Sequence, residues 1–270
     1  MTHSASTSGG GTEAKAAVSA AAPGQPATPS VLDVDLDRLR AMGAEELLEF
    51  AFTTFGRRAA IGTSLQKTGI AMIDLASRLA TPWRVFFIDT LLNHQETYDL
   101  LKEVERRYGT PVERFRPSGE SVEWLYKTFG QHAHYFNRQL CCRTRKAIPL
   151  QEALETLDVW ISGLRGDQSS HRADTAAKAE IIQTERGRDV LKLNPLLDWT
   201  EQQLEAYSRE HDLPHNRLYD YVSQYGERYT VIGCVHCHVP VKEGFDKRMG
   251  KFPWEQGSKE CGIHEKGGGI

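Results

Sequence analysis

The sequence holds no apolar run near the roughly 20 residues that a membrane-spanning helix needs. Its first 30 residues lack the apolar core of a secretory signal, and they carry too little arginine for a mitochondrial presequence. Neither sign of charge dominates, since 33 Lys and Arg against 36 Asp and Glu leave a net charge of −3. No overall field therefore marks a nucleic acid or a membrane surface as partner. No internal repeat is visible. Cysteine is scarce and odd in number, five among 270 residues. Without an export signal, metal binding or catalysis is expected of such thiols rather than disulfides. These absences predict a cytoplasmic protein.

What is present divides the chain unevenly. Residues 1–30 are rich in Ala, Ser, Gly, Pro and Thr and nearly free of large apolar side chains, the composition of a disordered tail. Residues 31–250 are expected to form one domain. Residues 251–270 form a flexible C-terminal segment. Helices are expected over 35–42 and 44–55, the second with Leu47, Leu48, Ala51, Phe52 and Phe55 on one face. Strands are expected over 58–63, 83–89, 111–116 and 157–163, with helices over 70–79, 95–108 and 121–129 between the first three and after the third. This alternation predicts an α/β fold with a mostly parallel sheet covered on both faces. Segments 179–184 and 189–196 then read as an antiparallel hairpin, and a helix over 200–211 stops before Pro214. The remainder, with the last three cysteines, reads as irregular.

The cysteines fall as an adjacent pair, Cys141–Cys142, a C-x-x-C, Cys234 and Cys237, and the single Cys261. C-x-x-C alone serves zinc, an iron–sulfur cluster or a redox dithiol. Adjacent side chains diverge by about 100° in a helix, so aiming both at one zinc ion is awkward. Different corners of a cubane suit them better. His236 and His238 keep a mixed zinc site open. Cys261 lies in a polar, glycine-flanked stretch, where Lys259 and His264 would favour its thiolate.

Taken together, Cys141-Cys142, Gly233-Cys234-x-x-Cys237 and Lys259-Glu260-Cys261-Gly262-Ile263-His264 resemble the iron–sulfur adenylylsulfate (APS) reductases. These belong to the phosphoadenylylsulfate reductase family of sulfate assimilation. The likeness extends to Phe87-Ile88-Asp89-Thr90, His94-x-Glu96-Thr97-Tyr98, Arg165-x-Asp167-Gln168-Ser169 and Asn194-Pro195-Leu196. It implies an adenine nucleotide alpha-hydrolase-like three-layer sandwich and a [4Fe-4S] cluster on Cys141, Cys142, Cys234 and Cys237. It also implies Cys261 as the nucleophile that takes the sulfonate of adenosine 5'-phosphosulfate, with His264 in the same motif. Arg145, Lys146 and Arg165 match family cations at the substrate.

The phosphate loop departs from the family pattern. Thr63-Ser64-Leu65-Gln66-Lys67-Thr68-Gly69 lacks a central glycine and a closing acid, although Thr63, Ser64 and the following backbone N–H groups can still cradle an anion. Asp89 ends a strand, where α/β folds place ligand contacts; helix capping is the competing expectation. The resemblance implies a thioredoxin or glutaredoxin-type reductant acting in trans, because a fused reductase domain would add roughly another 100 residues. A homo-oligomer is left open. Two alternatives stand: the same reaction on 3'-phosphoadenylylsulfate, with Arg172 or Lys67 on the extra phosphate, or a zinc-stabilised nucleotide-binding protein without turnover.

Overall fold

The computed structural model describes residues 29–168 and 170–255. Helices α1 (Leu36–Ala41) and α2 (Ala44–Phe55) open it. Asp35 accepts from the Arg38 N–H at 3.0 Å, and Glu46 closes the start of α2 by accepting from the Gly43 N–H at 2.7 Å. The strands are β1 (Ala59–Thr63), β2 (Val85–Ile88), β3 (Val112–Phe115), β4 (Val159–Ser162), β5 (Ala179–Gln183) and β6 (Asp189–Leu193). Between them lie α3 (Lys67–Ser77), α4 (Gln95–Tyr108), α5 (Gly119–Phe129), α6 (Ala133–Phe136), α7 (Arg138–Cys142), α8 (Ile148–Leu154) and α9 (Ser170–Thr175). Helix α10 (Glu201–Glu210) follows the sheet, capped at Thr200 by a reciprocal pair of hydrogen bonds with Gln203.

The sheet order is β3-β2-β1-β4-β6-β5. All neighbours are parallel except β5 and β6, which form the expected antiparallel hairpin with Ala179 opposite Leu193. The chain starts in the middle, fills one side through β3, then crosses to the other. That reversal between β1 and β4 is a topological switch point, the place where open α/β sheets leave a crevice beyond their carboxyl ends.

Alternate residues of each strand serve opposite layers. Ala59, Ile61, Val85, Phe87, Val159, Ile161, Leu191 and Leu193 join α2, α3, α4 and α10 in the larger core. Ala60, Phe86, Trp160 and Val190 pack on Leu150, Ala153 and Leu154 of α8 and on Leu157. Each fully buried Val, Leu, Ile or Phe among them contributes roughly 1.5–3 kcal/mol. The result is a three-layer α/β sandwich, as the resemblance implied.

Two segments differ from the sequence reading. Helix α3 begins at Lys67 rather than at residue 70, because Thr68 and Gly69 are buried against β1 and extend its apolar face. Residues 133–154, given no element from the sequence, are almost wholly helical, with a π-helical stretch at Arg143–Ala147 joining α7 to α8. After α10 the described chain holds a 3-10 turn at Arg217–Asp220 and the two-residue strands β7 (Glu227–Arg228) and β8 (Val241–Lys242). The packed body continues past residue 250, since Lys251 and Phe252 are 6% and 1% exposed. No helix among the described residues is long and apolar enough to cross a membrane.

Candidate functional site

A cavity of about 650 Å³ opens at the switch point, over the carboxyl ends of β1 and β4. Gly62, Thr63, Ser64 and Lys67 line it from the β1–α3 turn, and Ser162, Gly163 and Arg165 from the end of β4. The turn is tight: Leu65 has φ +56° and donates its N–H to Thr63 Oγ1 at 3.0 Å. Phe86, Ile88, Leu150 and Trp160 give one part of the cavity an apolar lining. Gly62 makes that lining possible, because a Cβ there would stand 2.6 Å from Trp160 Nε1 and 2.8 Å from the Phe86 ring.

The sheet-side cations are already countered. Arg165, 3% exposed, reaches Asp167 at 2.9 Å and Glu201 at 2.5 Å, and donates to Thr68 Oγ1 at 3.1 Å. Burial opposes the charge on Glu201, but the Arg165 hydrogen bond and charge win and lower its pKa. Lys67 lies 3.4 Å from Glu205 and over the Tyr219 ring.

The opposite wall comes from the chain after α10. Arg228, Lys247, Arg248 and Lys251 line it, beside Lys146 and the buried His238. Burial, with Lys146 and Lys251 nearby, pushes the His238 pKa down to about 3, so its ring is neutral. Gly233 allows this imidazole its place, since a Cβ would meet the ring at 2.2 Å.

Behind that wall Cys141 comes near Cys234. Cys141 and Cys142 end α7, while Cys234 and Cys237 close a turn in which the Cys237 N–H donates to the Cys234 carbonyl at 2.9 Å. Cys141, Cys234 and Cys237 are each 6% exposed, and none of the four is in a disulfide. The Cys141 and Cys234 thiols are near enough to interact; burial first, then Cys234, raises the Cys141 pKa against Arg145. Cys234 Sγ donates to Thr90 Oγ1 at 3.3 Å. Leu125, Ala133, Phe252, Trp254 and Leu92 surround these sulfurs with apolar surface. Among the described residues no group of three or more His, Cys, Asp or Glu side chains forms a site for one metal ion.

Of the residues expected at the substrate, Thr63, Ser64, Lys146 and Arg165 line the cavity, while Arg145 and Asp89 do not. Arg145 is 2% exposed and donates to the Thr90 carbonyl and to Tyr126 Oη, each at 2.8 Å. Asp89, 1% exposed, accepts from Tyr98 Oη at 2.7 Å, Arg116 Nε at 2.9 Å and the Leu91 N–H at 3.1 Å. It ties the turn after β2 to α4, the structural alternative to a nucleotide contact. Cys261 and His264 lie outside the described residues. The cations Arg228, Lys247, Arg248 and Lys251 escaped the sequence reading. The signal was Lys247-Arg248-x-x-Lys251, a basic run shortly before Cys261.

Residues 58–240 match the family model of the phosphoadenosine phosphosulfate reductase domain. The chain belongs to that family. The match spans the switch-point sheet and Cys141, Cys142, Cys234 and Cys237, and ends before Cys261. An adenosine 5'-phosphosulfate reductase of Halalkalibacterium halodurans is 34% identical, over 82% of this chain and 90% of its own. Adenosine 5'-phosphosulfate reductase 2 of Bacillus subtilis is 32% identical, over 82% of this chain and 89% of its own. Among solved structures, the phosphoadenylyl-sulfate (PAPS) reductase of Candida auris, in a phosphate complex, superposes with a TM-score of 0.62 at 28% identity. It covers 76% of this chain and 96% of the Candida chain.

Proposed function

We propose that this member of the family reduces adenosine 5'-phosphosulfate to sulfite and AMP, as an oxidoreductase of sulfate assimilation in the cytoplasm. The observation that carries the reading is a cation-walled cavity whose lining residue Phe252 packs on the buried thiols of Cys234 and Cys237, with buried Cys141 near Cys234. An adenylyl sulfate has an aromatic base for the lining of Phe86 and Trp160, and two adjoining anionic groups for Lys146, Arg248 and Lys251. The second wall thereby neutralises the oxygens on which charge shifts during sulfur transfer.

In the proposed sequence the Cys261 thiolate attacks the sulfonate sulfur. A new S–S bond forms, the S–O bond to phosphate breaks, and AMP leaves with the electron pair. The resulting S-sulfocysteine is reduced by a thioredoxin or glutaredoxin-type dithiol. One of its thiolates attacks the cysteine sulfur and sulfite departs. The second thiol closes the reductant's disulfide and returns Cys261 as a thiol. Two thiol protons are released in all.

Cys141, Cys142, Cys234 and Cys237 would hold a [4Fe-4S] cluster. Their all-sulfur, apolar setting suits it. So does Arg145, a buried guanidinium bonded to a carbonyl and a hydroxyl, with an Nε that has no hydrogen-bond partner. Among the described residues no carboxylate pairs with it, so anionic thiolates beside it would supply the missing countercharge. When bound, the cluster would supply a fixed negative charge beside Lys146, while the electrons come from thiols. The division into a tail over 1–30, a reductase body and a catalytic segment within 251–270 accompanies this reading.

Anaerobic incubation with adenosine 5'-phosphosulfate and no reductant is expected to leave a sulfonate on Cys261, seen by peptide mass spectrometry. Cys261→Ser should form none and release no sulfite. An unmodified Cys261 after incubation refutes the reading.

The phosphorylated nucleotide is the second candidate, favoured by the likeness to the Candida enzyme. The side chains considered for a further phosphate are already engaged here, Lys67 with Glu205 and Arg172 with Gln168. Sulfite release measured with each nucleotide decides between them; strict dependence on the 3'-phosphate overturns the preference.

A further inference from the structure

Glu255, six residues before Cys261, is joined to the cysteine helix by one arginine, which also contacts the cavity-lining Phe252. Arg138 opens α7, three residues before Cys141. Its Nε donates to Glu255 Oε1 at 2.6 Å, with side chains only 14% and 27% exposed. Its guanidinium carbon also lies 4.4 Å from the centre of the Phe252 ring. Exposed ion pairs contribute little, but this one is largely covered and shares its cation with an aromatic face.

Phe252 is an unusual residue to find there. It is 1% exposed, lines the cavity, packs on Cys234 and Cys237, and has φ +46°. A bulky side chain in the left-handed region persists only where its surroundings over-determine it. Here they are the ring contacts, the Arg138 fork and an N–H donated to the Cys237 carbonyl at 2.8 Å. Trp254 continues the anchor, with its ring centre 5.5 Å from that of Tyr135. Cys261 follows Glu255 by six positions, a reach of at most about 20–22 Å for extended chain.

We infer that Arg138 is a positioning residue for the thiol-transfer step. By clamping Glu255 and Phe252 to the cysteine helix, it fixes the point from which Cys261 addresses the cavity. The inference rests on the reading of Cys261 as nucleophile. Anchoring a tether raises the effective concentration of its nucleophile at the target, and misplacing the reacting atoms by about 1 Å can cost 100-fold.

The test is single-turnover formation of the Cys261 sulfonate at saturating adenosine 5'-phosphosulfate in the full-length, anaerobically purified protein. Arg138→Gln and Glu255→Gln should each slow it roughly 10- to 100-fold. Iron content, visible absorbance and the dissociation constant for AMP should stay within about two-fold. The double variant should be no slower than the worse single, because both remove one clamp, and Arg138→Lys should recover part of the rate. Hydrogen exchange at the Phe252 and Glu255 amides should quicken in both single variants. Unchanged adduct rates in both overturn the inference, as does a loss matched by equal loss of AMP binding or iron. If the unaltered protein forms no adduct at all, the reading of Cys261 itself falls and takes the inference with it. If it forms one and the variants match it, only the role of Arg138 falls.

Discussion

The sheet-side wall of the cavity draws its order from a continuous strand ladder, whereas the wall running from residue 228 to 254 draws its order from isolated backbone bridges and packed side chains. Thr63, Ser64 and Arg165 stand on strand ends fixed by five parallel and antiparallel pairings, and Arg165 is held by two carboxylates. The other wall has the two-residue strands β7 and β8, single bridges at Asn93–Cys234 and His238–Lys251, a four-residue cysteine turn and a phenylalanine in a left-handed conformation. Its shape comes from Cys234, Cys237, Phe252 and Trp254 packing together. Lys247 of that wall meets the Glu201 carboxylate across the cavity only at 3.8 Å. A preformed frame and a wall organised by its own thiols should therefore respond differently to mutation.

Losing a cysteine is the strongest way to break that contrast. On the proposed reading, Cys234→Ala abolishes sulfite release and the visible absorbance of the cluster. Hydrogen exchange should then show residues 228–252 losing protection while β1, β2 and β4 keep theirs. Equal loss in both walls would mean that the sheet also depends on the thiols, and the contrast would fail. A smaller effect compares one cation from each wall. Lys251→Met keeps the volume and removes a buried charge beside His238, and kcat/KM should fall roughly 100-fold, the scale of one lost transition-state donor. Lys67→Met removes a half-covered cation already paired with Glu205, and kcat/KM should change by less than about three-fold. Steady-state rates with adenosine 5'-phosphosulfate give both numbers, and the reverse ranking would reassign the catalytic wall.

The same contrast explains what was legible in the sequence. Periodic apolar residues revealed every long element of the sheet layer, because alternate strand positions face different cores and leave a readable pattern. The region 133–154 was not legible, since α6 and α7 are each about a turn long and carry their buried residues at no sustained period. The cysteine quartet was visible as spacing, and the structure brings Cys141 and Cys234 near each other across a long sequence separation. The cations of the second wall were not found, because Lys and Arg in an irregular stretch look like solvated charge until the fold lines a cavity with them. Arg145 went astray for a related reason. Its position next to Lys146 suggested a shared role, but neighbours on a helix face different ways, and Arg145 points behind the wall to Thr90 and Tyr126.

Asp89 offers the smallest and cleanest separation of frame from function. Its carboxylate is buried at the end of β2, where desolvation raises the pKa, yet bonds from Tyr98, the Leu91 N–H and Arg116 outweigh this and lower it. A lowered folded-state pKa means that the stabilisation is fully present above the unfolded value, near 3.8, and lost as pH falls through the folded one. Asp89→Asn keeps the shape and removes the charge, so the Arg116 and Tyr98 bonds weaken while the turn can persist. The expected cost is about 1–3 kcal/mol, or a few degrees in Tm for a body of this size. The urea midpoint of the unaltered protein should fall more steeply below pH 4 than that of the variant. KM for adenosine 5'-phosphosulfate should remain within about two-fold, because Asp89 does not line the cavity. A large rise in KM at unchanged Tm would instead put this carboxylate on the nucleotide and move the boundary of the site to the end of β2.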